Sequence, residues 1–202
     1  MDYKLNYVSS ILLGVFMKIY DDFVDLKIKK YPVILDISKI MIVGSTYFLI
    51  DECYILSLIV FVSLVISNYC KKFDDTFWYA YMGFVGALSV FNYKKLETLI
   101  QYVEPFKLMV LIFIPAFIYF EETTFTEEKS KNKMMARFYG IIINSIIVFV
   151  LEFFDWVKEY NLGFFVYLII FVNSYFLTNI IIQLWHSKYY KSESESESAE
   201  KN

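Results

Sequence analysis

The feature that most constrains this chain is the length of its apolar runs. Seven can be drawn: 7–20, 31–50, 53–69, 76–92, 106–120, 138–154 and 163–185. An α-helix crossing a bilayer needs about 20 such residues, with a range near 17–25. The second, third, fourth, sixth and seventh runs meet that length. The first reaches it by extending through its acidic end, and the fifth carries Pro105 and Pro115. A count of five or six spans follows if those two short runs stay out of the membrane.

Composition agrees with the run lengths. The chain has 202 residues, of which 58% are hydrophobic and 21% aromatic. A soluble domain of this size buries roughly 70% of its unfolded surface, which would leave many of these side chains facing water. Lipid is the solvent that accommodates them, and it admits only structures whose backbone groups are satisfied internally. The predicted fold class is therefore all-α, a polytopic transmembrane helical bundle of about seven spans. It occupies residues 1–191 as one domain, without an internal repeat.

From Ser192 onward, Ser and Glu alternate. Low hydrophobicity and like charge predict a disordered acidic tail over 192–202. Between the fourth and fifth runs, 94–104 places Leu96, Leu99, Ile100 and Val103 among charged residues. That spacing fits a helix lying in the interface and equally a polar extension of the fifth span. The first residues lack the basic region and small-residue cleavage site of a signal peptide, so the first run is expected to be a retained span. Cys53 and Cys70 bracket the third run. As a helix, that run would hold them roughly 25 Å apart, beyond the reach of a disulfide.

The net charge of −3 gives no sign of a nucleic-acid partner. Where the charges sit says more. Counted over alternate loops, Lys27, Lys29, Lys30, Lys71, Lys72, the lysines of 129–133, Arg137 and the C-terminal lysines share one side. Lys4, Lys94, Lys95, Lys107 and Lys158 share the other. The positive-inside rule then predicts an outside N-terminus and a cytoplasmic C-terminus.

Three acidic clusters fall on that same cytoplasmic side: Asp21, Asp22 and Asp25; Asp74 and Asp75; and Glu121, Glu122, Glu127 and Glu128. Carboxylates and lysines above an apolar bundle suit a lipid or isoprenoid that carries a diphosphate. Magnesium binds through one or two carboxylates plus waters and phosphate oxygens, and Asp21 and Asp25 lie one helical turn apart on one face. With Asp22 alongside, they are candidate Mg2+ ligands. A metal with neighbouring cations would neutralise charge on a departing diphosphate, and aromatic walls would shelter the resulting carbocation. Solvated loop positions at a membrane boundary account for the same acidic residues without any chemistry.

At these residues the chain resembles the UbiA superfamily of membrane prenyltransferases and the related membrane terpene cyclases. The family's first acidic motif, N-x-x-x-D-x-x-x-D followed by basic residues and a proline, is similar to Met17-x-x-x-Asp21-x-x-x-Asp25 with Lys27, Lys29, Lys30 and Pro32. Met17 stands in the Asn position. The second motif, D-x-x-x-D before a Gly- and Arg-containing segment, corresponds to the loop with Glu121, Glu122, Glu127 and Glu128, then Arg137 and Gly140. Glutamates replace aspartates there, at a different spacing. The family has nine spans with its N-terminus inside, and loss of the first would give the arrangement read from the charges.

The resemblance implies a membrane enzyme that ionises an isoprenoid diphosphate with Mg2+, by prenyl transfer or terpene cyclisation. Asp21 and Asp25 would be its catalytic metal ligands, joined by Asp22, Glu122 and Glu127, with Lys71, Lys72 and Arg137 on the diphosphate. No general base for an acceptor is evident. The rival expectation is a non-catalytic polytopic membrane protein, a small transporter or a scaffold.

Other polar residues suggest packing. Asp36 and Lys39, at i and i+3, are expected to pair. Asn144, Ser145, Asn173 and Ser174 are expected to hydrogen-bond between the sixth and seventh spans, and Gly83, Gly86 and Ala87 to admit a close neighbour. With His186 the sole histidine, His-box and His-ligated zinc chemistry is excluded. The last span has no lysine for a retinal Schiff base, and no P-loop motif is present.

Overall fold

Long apolar runs with few helix breakers leave the backbone one way to satisfy its own hydrogen bonds, and the chain takes it. The computed structural model describes residues 3–25, 32–52, 54–69, 75–91, 131–154 and 163–200. Those residues form six α-helices: α1 (Tyr3–Asp25), α2 (Pro32–Glu52), α3 (Tyr54–Tyr69), α4 (Thr76–Phe91), α5 (Lys131–Phe153) and α6 (Gly163–Glu200). Among the described residues no strand occurs, so the all-α expectation holds. The fifth apolar run and the segment 94–104 lie outside the described residues, as do Cys53 and Cys70.

Among the described residues, two helical stretches are long and apolar enough to cross a membrane, Pro32–Leu49 and Val166–Trp185. They match the second and seventh runs. The first run does extend through its acidic end, since α1 includes Asp21, Asp22 and Asp25. The backbone of α6 is helical over Gly163–Glu200 and so runs into the Ser/Glu stretch.

The packing is organised around α1, whose largest contact is with α6 and whose next is with α2. Asn6, Ser10, Gly14, Lys18 and Asp22 recur every four residues along α1 and are all buried. Positions four apart lie on one helix face, so this is a polar stripe set inside the bundle. α6 answers it with the same period. The Tyr7 ring meets the Tyr167 ring edge-on at 5.3 Å, Gly14 abuts Phe171 and Ser174, and Lys18 lies over the Tyr175 ring. Asp22 accepts hydrogen bonds from Asn179. Residue numbers rise together on both helices, so α1 and α6 run parallel.

α5 is antiparallel to α6. Arg137 meets Asn179, Gly140 faces the Phe176 ring, and Asn144 Nδ2 donates to Asn173 Oδ1 at 3.0 Å. Asn173 Nδ2 reaches Ser145 Oγ at 3.4 Å. These are the interhelical bonds expected for Asn144, Ser145 and Asn173; Ser174 Oγ instead donates to the Ile170 carbonyl of its own helix. On the other side of α1, Thr46 of α2 and Tyr81 of α4 share a buried hydrogen bond of 2.6 Å. Tyr20 packs among Phe77 and Trp78 of α4. The core mixes aromatic and aliphatic side chains, with Tyr20, Trp78 and Tyr81 packed among Leu13, Ile42 and Val85.

Glycine marks two close approaches. A Cβ at Gly86 would come within 2.9 Å of the Phe61 ring of α3, while one at Gly83 would meet nothing within 4 Å. The expectation of a close neighbour therefore holds for Gly86 and is corrected for Gly83, which is exposed. The tightest approach is at Gly14, where a Cβ would overlap the Phe171 carbonyl oxygen and lie 3.0 Å from Ser174 Cβ. Backbone cannot swing aside as a side-chain tip can. Gly14→Ala should therefore separate α1 from α6 and destabilise the protein by about 1–3 kcal/mol, read as a lowered thermal midpoint in detergent. Gly83→Ala should leave that midpoint unchanged or slightly raised.

Candidate functional site

The parallel register of α1 and α6 decides which polar groups meet. α1 is amphipathic enough to bury one face, and its last turns place Lys18, Asp21 and Asp22 on that face at i, i+3 and i+4. Lys18 is fully buried, at 0% exposure, and its Nζ lies 2.7 Å from Asp21 Oδ2 and 2.8 Å from Asp22 Oδ1. A lysine can bridge both carboxylates because residues three and four apart are neighbours on a helix.

α6 closes the cluster. Tyr175 OH donates to Asp21 Oδ2 at 3.2 Å, and its ring carries the Lys18 ammonium 5.1 Å from the centroid. Asn179 Nδ2 donates to both Asp22 oxygens, at 3.1 and 3.3 Å. The Asn179 carbonyl oxygen accepts from Arg137 of α5, whose guanidinium lies over the Phe176 ring at 5.7 Å. Two cations, two carboxylates, one phenol and one amide from three helices thus form a connected, charge-balanced group. The Asp21 side chain, 30% exposed, is where it opens toward the surface.

The expected site residues can now be placed. Asp21, Asp22 and Arg137 are brought together. Asp25 ends α1 one turn further on and is exposed. Lys71, Lys72, Glu122 and Glu127 lie outside the described residues. For magnesium the fit at Asp21 and Asp22 is poor, because the facing oxygen of each is already held by Lys18. Among the described residues no group of three acidic, histidine or cysteine side chains stands ready for a metal. Sequence reasoning missed Lys18, Tyr175 and Asn179. The available signal was the spacing Lys18-x-x-Asp21-Asp22, a basic residue inside an apolar run one turn before two acids.

A second polar contact sits beside the first. Asp75 caps α4: its Oδ1 accepts the Phe77 N–H at 2.9 Å, the role that Asp commonly takes before a helix. Its Oδ2 accepts from the buried Tyr20 OH at 2.6 Å, tying α1 to the start of α4. The Lys39 ammonium lies over the same Tyr20 ring at 5.7 Å and pairs with Asp36 at 3.3 Å, as the i, i+3 spacing predicts. Partial burial pushes the Asp75 carboxyl up, but the Tyr20, Phe77 and Thr76 hydrogen bonds and the Lys39 charge outweigh it and hold the group below its ordinary value of 3.8.

Comparison with family models, with curated proteins and with solved structures returns no match for this chain.

Two outcomes follow. Lys18→Met strands two carboxylates in the cluster and should cost about 3–5 kcal/mol. Asp22→Asn in the same background should recover part of that loss in a thermal-melt series. At Asp75 the folded-state carboxyl is depressed, so its contribution is present above the unfolded value and lost as pH falls through the lower folded one. Asp75→Ala should therefore lower stability at neutral pH, by about 1 kcal/mol for the lost cap, and flatten the acid limb of a stability–pH profile below about pH 4.

Proposed function

We propose that the chain is a non-catalytic, multi-pass membrane protein, a small transporter in which the Lys18 cluster is the charged element inside the bundle. The observation that carries this reading is the complete burial of Lys18 between two carboxylates on one helix. Desolvating such groups costs several kcal/mol for each ion, and apolar residues of similar size often pack with equal or greater stability. Ionisable groups inside a membrane bundle typically belong to ion or substrate pathways and to the switches that gate them.

The membrane setting rests on the two apolar stretches of α2 and α6 and on outward-facing apolar side chains. On α5, Phe138, Ile142, Ile146, Phe149 and Phe153 are all exposed, a stripe suited to lipid. The count of about seven spans rests on the seven apolar runs of the sequence. Lys18, Asp21 and Asp22 of α1 and Arg137 of α5 meet near one end of these helices, the end that the positive-inside reading of the lysines would place in the cytoplasm, with the N-terminus outside.

A second reading has one observation in its favour. Arg137, which the UbiA resemblance places on the diphosphate side, is joined to Asp22 through Asn179, although the two are far apart in sequence. On that reading the chain is a prenyl-diphosphate enzyme, with Asp21 and Asp25 as its magnesium ligands.

One pair of assays separates the two. Purified protein in liposomes should support ion or proton flux under an imposed gradient, followed with an internal pH dye and abolished by Lys18→Met. The same preparation should release no diphosphate from geranyl, farnesyl or geranylgeranyl diphosphate with magnesium. Release that disappears in an Asp21→Ala, Asp25→Ala variant would overturn the non-catalytic reading.

A further inference from the structure

An ammonium group occupies the place between Asp21 and Asp22 where a divalent ion would bind. We propose that Lys18 is the resident cation of this cluster, a tethered substitute for a metal, and that the Asp21–Asp22 pair takes no divalent ion while Lys18 is present. The inference rests on the transporter reading, in which the cluster is an internal charge element rather than a metal-dependent active site.

Geometry carries the argument. The Lys18 Nζ is within 2.8 Å of a carboxylate oxygen on each partner. Those oxygens hold other donors as well: Tyr175 OH on Asp21 Oδ2 and Asn179 Nδ2 on Asp22 Oδ1. Magnesium demands near-octahedral oxygen ligands at about 2.0–2.1 Å and usually keeps several waters. To enter, it would have to displace the ammonium from both oxygens and hydrate inside a packed helix contact.

Charge gives the same answer. Lys18 and Arg137 balance Asp21 and Asp22, so an added divalent ion would leave the group with an excess of two positive charges. The displaced ammonium is tethered, because Lys18 is buried and its stem is fixed to α1 beside the Tyr175 ring. It would stay near the metal as a like charge. Removing that ammonium should turn the same two carboxylates, already converging on the Lys18 Nζ position and braced by Tyr175 and Asn179, into a cation site.

The test uses Mn2+ as the probe, with the full chain in lipid nanodiscs and free Mn2+ read by electron paramagnetic resonance. Wild-type protein should show no saturable uptake that depends on Asp21 or Asp22; uptake that survives Asp21→Asn and Asp22→Asn belongs to other carboxylates and leaves the pair free, as proposed. Lys18→Gln should bind Mn2+ at least about tenfold more tightly, the effect of deleting a close like charge, and Lys18→Gln with Asp22→Asn should lose the gain. Should Lys18→Gln fail to fold without metal, its thermal transition should return on addition of Mn2+, while Lys18→Arg folds and stays metal-free. Wild-type uptake abolished by Asp22→Asn, or Lys18→Gln with neither uptake nor rescue, would overturn the inference. A chain that releases no diphosphate yet binds Mn2+ at Asp22 overturns this inference alone. One that releases diphosphate without such binding overturns the proposed function alone.

Discussion

A buried ammonium sets the terms for the rest of this bundle. Lys18 can stay out of water only if anions reach it, and the two nearest are on its own helix, one turn later. Once those carboxylates are buried too, they need donors, and α6 provides them through Tyr175 and Asn179. That requirement fixes both the rotation and the axial position of α6 against α1. A slip of one residue would rotate Tyr175 and Asn179 by about 100° and leave charge uncompensated. Gly14 belongs to the same constraint, because the two helices approach this closely only where a side chain is missing.

The remaining helices are arranged around that pair by weaker contacts of the same kind. Arg137 brings α5 to the cluster through Asn179, and the Asn144–Asn173 bond holds the two helices further along. Tyr20 turns the opposite side of α1 toward α4 by reaching Asp75, the residue that also starts α4. Each of these polar contacts specifies an orientation that apolar side chains alone leave open, because a hydrogen bond is directional and apolar packing is not. The energy of each bond is modest. What the set provides is a choice among arrangements of similar apolar burial.

Much of the fold was legible in the sequence because it depends on local properties. Run length and the scarcity of helix breakers announce helices, and every apolar run that the structure describes is one. The pairing of Asp36 with Lys39 and the bond between Asn144 and Asn173 follow from spacing and depth. The site was legible only in part. Asp21 and Asp22 stand out as acids at the end of an apolar run, but their α6 donors lie more than 150 positions away, in a stretch where Tyr175 and Asn179 carry no charge to mark them. Gly83 and Gly86 look alike in the sequence, and only the position of Phe61 distinguishes them.

The sequence by itself determined that this chain is helical and apolar, with its acidic residues at helix ends, because those properties follow from composition and from the 3.6-residue period. Tertiary structure decided which distant donors complete those acids. Asp75 caps its own helix, and Tyr20 of α1 reaches it as well. Asp21 and Asp22 have Lys18 three and four residues back on their own helix, and the packing of α1 against α6 adds Tyr175 and Asn179. The physical reason is that a buried carboxylate needs donors from beyond its own helix, and which ones reach it is set by helix packing, which no local pattern encodes.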